Sequence, residues 1–348
     1  MSTPIGTGID ARVSKKENDE TSPDERSGVR TGANTITGAD EATRPRTDIS
    51  VCIATFRRLD RLDALLADLL AQQCLPREIV VVDNDAQGSA RAVVARHQAA
   101  QSACPLIYEI QPEKNISLTR NRTVALASGT WLAFIDDDER APPDWLSGLL
   151  AAAVAHRADG VLGPVLPVLP GNAPTWIRRG RFYDWARMPT GTEVPANQLR
   201  FGNLMLKAAL LAGLDPVFDP RLGLTGGEDG DLLMRLVKNG ARMVWNDEAT
   251  VTEPVEASRL QLRWILRRAL GGGQDFARHF LAGHLQAPTL RNRLLFFARA
   301  LLQMLIAGGL SLLTLPAGRH RSAYWLGRSC ANFGKLSVLW GWHYTEYA

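Results

Sequence analysis

Four short runs in this chain are almost unbroken in apolar character: ISVCIA (49–54), EIVVV (78–82), LIYEI (106–110) and WLAFI (131–135). A strand that shows water one face alternates polar with apolar residues, so runs like these predict strands buried on both sides. Between them lie segments of helical spacing. In 61–73 the apolar positions Leu62, Leu65, Leu66 and Leu69 fall on one face, and 89–100 and 115–128 follow the same logic. Strand and helix in alternation predict an α/β fold, a mostly parallel central sheet with helices on both faces.

What ends the strands is as informative as what fills them. The run at 131–135 stops in Asp136, Asp137 and Asp138, with Glu139 next. In open α/β sheets the carboxyl ends of strands border the ligand crevice. Carboxylates held there are hard ligands for magnesium or manganese, ions that commonly also grip substrate phosphates. The same acids would equally suit a solvated turn, or the start of a helix near Pro142-Pro143. A second acidic group, Glu228-Asp229, follows Gly226-Gly227 and opens a helix with Leu232, Leu233, Leu236 and Val237 on one face. Acids in a first turn complement the helix dipole, and a carboxylate there could also serve as a general base. The dinucleotide fingerprint GxGxxG does not follow the first strand, and GxxxxGK[ST] does not occur, which disfavours a nicotinamide dehydrogenase and a P-loop enzyme.

The chain has 348 residues, room for one large α/β domain and an accessory region. Residues 1–47 contain almost no large apolar side chains and are expected to be a disordered tail; no apolar segment there suggests a cleaved secretory signal. Cys52, Cys74, Cys104 and Cys330 form no CxxC pair, which suits a reducing compartment, with Cys52 and Cys330 read as buried small apolar residues. Beyond the acids, 144–157 predicts an Ala-rich helix, 160–168 a strand, and 201–213 a strand running into a helix. The Pro-rich 172–197 predicts a loop whose Trp176, Phe182, Tyr183 and Trp185 form by default a satellite apolar cluster, stacking on a sugar being the alternative.

Six ordered motifs, VCIATFRR, EIVVVDNDAQG, NISLTRNR, FIDDDE, GGEDGDLLMRLVKNGARMVW and RWILRRALGGGQ, span 48–273. In that order the chain resembles the family 2 glycosyltransferases of the GT-A fold, most closely those that build succinoglycan-type exopolysaccharides. The resemblance implies a nucleotide-sugar donor, a divalent cation (manganese or magnesium) and an inverting displacement. It implies that Thr55 and Phe56 line the nucleoside site, Asp83 holds the base, and Arg120 and Asn121 lie near the nucleotide. It places Asp136 and Asp137 at the nucleotide-sugar, Asp138 on the metal, Asp229 as catalytic base and Glu228 beside it near the acceptor. The chain departs from the family at two points. Polymerising relatives carry Gln-x-x-Arg-Trp, where this chain has Leu260-Gln261-Leu262-Arg263-Trp264, which favours transfer of a single sugar. Some metal-dependent relatives place a His after the last strand, where this chain offers Glu253, either a metal ligand or, the reading preferred, a loop acid.

These readings divide the chain into the tail, a catalytic domain over 48–256, and a basic helical region over 257–348 that associates with a membrane. Arg259, Arg263 and Arg267 recur every fourth residue opposite Leu262, Ile265, Leu266 and Ala269, the pattern of a basic amphipathic helix. Residues 294–315 are apolar over a membrane-spanning length, but Arg299, Gln303 and Gly308-Gly309 interrupt them and basic residues flank both ends, which favours interfacial insertion over a span. The expected enzyme works at the cytoplasmic face of the bacterial membrane on a lipid-linked glycan acceptor, with no nucleic-acid partner. A catalytically silent nucleotide or glycan binder on the same fold, and a nucleotidyltransferase, are the competing readings.

Overall fold

The structure, a computed structural model, describes residues 44–101 and 103–342. The expected tail lies outside the described residues, except at its end. There Arg46 bridges Leu75 and the Arg44 guanidinium donates to the Leu70 carbonyl, so ordered chain begins a few residues before the expected boundary at 48.

The expected alternation is present. It runs β1 (Ile49–Thr55), α1 (Leu59–Leu70), β2 (Glu78–Asp83), α2 (Arg91–Ala100), β3 (Leu106–Ile110), α3 (Ile116–Leu126), β4 (Trp131–Phe134) and α4 (Trp145–Ala155). Next come β5 (Gly160–Leu162), β6 (Val165–Val168), α5 (Thr175–Gly180), β7 (Leu204–Lys207), α6 (Glu228–Lys238), β8 (Met243–Trp245) and β9 (Val251–Pro254). Three long helices follow: α7 (Leu262–Leu281), α8 (Leu290–Leu313) and α9 (Arg319–Ser337). The main sheet has seven strands in the order β3-β2-β1-β4-β7-β5-β8, parallel except that β7 is antiparallel to both its neighbours. The chain thus belongs to the α/β class with a mostly parallel central sheet.

Period-two alternation divides the strand residues between two cores. Ile49, Val51 and Ile53 of β1, Val81 of β2 and Ala133 of β4 point to the face covered by Leu62, Leu65, Leu66 and Leu69 of α1. Cys52, Leu132, Phe134, Leu204 and Trp245 point to the other, covered by Leu232, Leu233 and Leu236 of α6. At about 25 cal/mol per Å² of apolar surface, these two faces supply the main favourable term in folding.

Several local expectations are corrected. The stretch 160–168 is two strands in two sheets. Gly163-Pro164 breaks it, because Pro164 has no N–H to offer a ladder and its carbonyl accepts instead from Asn203 and from the Val251 backbone. β6 then pairs with β9 in a separate two-stranded sheet. The segment after β7 makes only a 3-10 turn, Ala208–Leu210, ended by Gly213 at φ +79°. The arginine stripe is not one helical face: α7 starts at Leu262, Arg259 stands on the preceding 3-10 turn, and only Arg263 and Arg267 share the helix. Cys52 and Cys104 are buried, whereas Cys330 is half-buried.

α7, α8 and α9 pack on one another, with Phe280 of α7 stacked on Phe296 of α8 at 4.1 Å between ring centroids. α8 alone among the described helices is long and apolar enough to cross a membrane, and only 17% of its most apolar window is buried. Leu294, Leu301, Leu302, Leu305, Leu312 and Leu313 project from it into solvent.

Candidate active site

β1 is flanked by β2 on one side and β4 on the other, so the chain reverses its direction of travel across the sheet there. A crevice opens at such a switch point, beyond the carboxyl ends of the strands. In this chain it is a cleft of about 520 Å³. β1 supplies Thr55 and Phe56, the end of β2 supplies Asn84, and the turn after β4 supplies Asp136, Asp137 and Asp138.

The three acids have different surroundings. Asp137 is buried and saturated: the Thr55 hydroxyl donates to one oxygen at 2.8 Å and Arg58 to the other at 2.8 Å. Asp138, 5% exposed, gathers Arg58, Arg61 and Arg259 around one oxygen at 3.1, 3.5 and 3.4 Å. Burial would lower the Arg58 pKa, but Asp137 and Asp138 outweigh it and hold that guanidinium above its ordinary value. Asp136 keeps a side-chain exposure of 48% and lines the cleft. Enclosure by the cleft walls pushes its pKa up against the pull of Arg120, and Asp138 and Asp229 push it further. Glu139 turns back under the loop to accept the Asp136 backbone N–H at 3.1 Å, and burial raises its pKa well above the ordinary value.

Glu253 is corrected from loop acid to strand residue. Arg140 and Thr252 exchange backbone hydrogen bonds at 2.8 and 3.0 Å, which tethers β9 to the acid loop and sets Glu253 in the cleft wall. Arg259 binds it as well as Asp138. Burial, then the Asp138 charge, raise its pKa, with Arg259 opposing.

On the α6 side, Gly227 caps the helix at φ +90°, a conformation that favours glycine. This turn delivers Glu228, 2% exposed, to Arg120, whose Nη1 donates to its Oε1 at 2.5 Å. The other arm of Arg120 reaches Asp136 at 3.3 Å, and the guanidinium lies over the Phe201 ring at 4.4 Å. Burial pushes the Glu228 carboxyl up to about 8 although Arg120 pulls it down. Asp229 is half-buried in the same turn, close enough for its charge to act on both Asp136 and Glu228.

Of the residues singled out from the sequence, Thr55, Phe56, Arg120, Asp136, Asp137 and Asp138 share the cleft wall, and Glu228 joins them through Arg120. Two do not. Asp83 is fully buried and takes hydrogen bonds from the Ala90 backbone and the Tyr108 hydroxyl, while its neighbour Asn84 lines the cleft. Asn121 spends both ends of its amide on the backbone of Phe218, at 2.8 Å each way. The arginines around Asp138 were missed, although Arg58 follows β1 as the acids follow β4 and Arg61 lies one turn on. The aromatic segment is also corrected: Trp176 packs on Phe182, but Phe182, Tyr183 and Trp185 line the cleft, and the Tyr183 hydroxyl donates to the Arg259 carbonyl at 2.7 Å. No cluster of three His, Cys, Asp or Glu side chains is pre-assembled for a metal among the described residues.

Known proteins match this architecture. The family model described as glycosyl transferase family 2 matches residues 50–211. The succinoglycan biosynthesis protein ExoM of Rhizobium meliloti is 36% identical over 239 residues, 66% of this chain and 74% of that protein. The glucosyl-dolichyl phosphate glucuronosyltransferase of Haloferax volcanii is 24% identical over 248 residues, 66% of this chain and 75% of its own. Among solved structures, the mannosyltransferase PcManGT of Pyrobaculum calidifontis, in complex with GDP-Man and Mn²⁺, superposes with a TM-score of 0.59 at 19% identity, covering 86% of this chain and 89% of that one, a likeness of fold. Identity of 36% held along most of a relative's length, added to the family match through the strands that frame the cleft, places this chain in the family 2 glycosyltransferases.

Proposed function

We propose that this glycosyltransferase moves one sugar, with inversion, from a nucleotide-sugar of the UDP class to a lipid-linked glycan of exopolysaccharide assembly at the cytoplasmic membrane face. The observation that carries the reading is the Glu228–Arg120–Asp136 chain, which ties the buried acid that opens α6 to the acid loop of the cleft.

In this reading Thr55, Phe56 and Asn84 border the nucleoside, and the sugar diphosphate lies over Asp136 and Asp138. The donor atoms of Asp136, Asp138 and Glu253 are all oxygens, the set that suits magnesium or manganese, and a cation would offset the burial, and then the Asp138 and Asp229 charges, that raise the Asp136 pKa. A cation held by these acids neutralises charge on the leaving diphosphate when bound. Arg58 and Arg259, already gathered at Asp138, add positive charge at the same place. Asp229 takes the proton of the acceptor hydroxyl as that oxygen bonds to the anomeric carbon and the bond to the diphosphate breaks. Glu228 keeps Arg120 aimed across the cleft. Leu260 in place of the polymerising Gln supports single addition.

The test is product analysis with a panel of nucleotide-sugars and lipid-linked acceptors. Release of a nucleoside diphosphate with a single added sugar is expected. Pyrophosphate release would point to nucleotidyl transfer, and ligand binding without turnover to a silent binder.

A further inference from the structure

α7 forms one wall of the cleft, and Trp264 stands in that wall bracketed by Arg267 and Arg268. Residues three apart on a helix share a face, which puts Trp264 and Arg267 side by side along the cleft. Tyr183 lies against Trp264 at 5.7 Å between centroids, so aromatic surface adjoins the cation.

Arg267 differs from the cations at the acid side. Arg58 is paired with Asp137 and Asp138, Arg259 with Asp138 and Glu253, and Arg120 with Glu228 and Asp136. Arg267 lines the same cleft, is exposed, and has no ion pair among the described residues. A guanidinium is suited to bidentate capture of phosphate oxygens. Arg58 and Arg259, the latter over the Trp264 ring at 5.8 Å, are already engaged with the acids, so a further cation in the lining without an ion pair fits a second anion. The helix that carries it is also packed on the solvent-facing apolar helix: Phe276 and Phe280 of α7 stack on Phe296 of α8 at 6.1 and 4.1 Å.

We infer that Arg267 binds the phosphate of the acceptor's lipid carrier, a polyprenyl-type phosphate or diphosphate, and so positions the acceptor glycan for attack. The inference rests on the glycosyl-transfer reading of the cleft and names the acceptor class for it.

The experiment uses the full chain in mild detergent with saturating UDP and GDP, so that the donor site is filled before any other diphosphate is offered. Farnesyl diphosphate is titrated against farnesol and inorganic pyrophosphate. Farnesyl diphosphate is expected to bind at least tenfold more tightly than either control. Arg267→Glu should weaken it about ten- to hundredfold, the worth of a charged hydrogen bond, while Arg267→Lys restores most of it and Lys238→Glu, exposed at the end of α6 and outside the cleft lining, changes nothing. Unchanged nucleotide binding in Arg267→Glu shows that the variant is folded. Equal farnesyl diphosphate binding by wild type and Arg267→Glu overturns the inference, and equal binding of pyrophosphate and farnesyl diphosphate overturns its lipid part. Failure of every nucleotide to bind the wild type would instead strike the donor reading, and the Arg267 comparison can still be made without nucleotide.

Discussion

One guanidinium joins two acids from remote segments: Arg120 donates to Glu228 at 2.5 Å and, through its other arm, to Asp136 at 3.3 Å. The acid that opens α6 and the first acid after β4 are far apart in sequence, and this cation sets their separation. Asp229 follows Glu228 in the first turn of α6.

Removing the base and removing its support should therefore differ. Asp229→Asn is expected to lower kcat about 100- to 10,000-fold, the range for loss of a general base, with the melting temperature little changed. Glu228→Ala leaves the buried Arg120 without its shortest hydrogen bond and is expected to cost about 1–3 kcal/mol in urea unfolding, the range for a lost buried hydrogen-bond partner. Equal activity of Asp229→Asn and wild type would remove Asp229 from the mechanism.

The raised carboxyl of Glu228 has a consequence for stability. Its folded pKa of about 8 lies above the ordinary 4.5, so between those values the folded state holds a proton that the unfolded state has lost. Stability from this group is full below pH 4.5 and falls as pH rises toward 8; Asp136 and Glu139, also raised, act in the same direction. Denaturant titrations at intervals from pH 5 to 8 should show that decline, and Glu228→Gln should flatten it. A slope identical in the two proteins would contradict the assignment.

Much of this was legible in the sequence, for physical reasons. β1, β2 and β4 are apolar on both faces because both are covered, as the central strands of a buried sheet require. The acids after β4 were legible because strand ends are where a chain leaves the core. Asp83 and Asn121 have the residue types of a site, yet Tyr108 and the Phe218 backbone absorb them, and that depends on the fold of segments remote in sequence. Glu253 read as loop because its strand is short and pairs only with β6, itself severed from β5 at Gly163-Pro164. The role of Arg259 depended on where α7 begins, and element ends are the least determined part of any periodicity.

Metal dependence is tested by chelation. EDTA should abolish transfer, and manganese or magnesium should restore it. Asp138→Asn should leave the three arginines beside a neutral amide and prevent the rescue. Full activity in EDTA would assign charge neutralisation to the arginines alone.

Membrane association is a separate claim, carried by α8. Flotation with vesicles rich in anionic lipid should bring the wild-type protein upward, less so at high salt, because Arg291, Arg293, Arg319 and Arg321 flank the exposed leucines. Leu301→Glu with Leu305→Glu should abolish flotation without lowering the melting temperature, since both side chains already face solvent. Undiminished flotation of the double variant would place the membrane contact elsewhere.

The central claim is that the cleft at the ends of β1, β2 and β4 receives a nucleoside diphosphate through its acids. The most direct measurement is thermal unfolding of the wild-type chain against a panel of nucleoside diphosphates, with and without manganese. A ligand present at about 100 times its dissociation constant stabilises the folded state by roughly 2.7 kcal/mol. The account predicts a manganese-dependent shift with one base, UDP by preference, that disappears in Asp138→Asn. No shift with any nucleotide, in the presence of manganese, would contradict it.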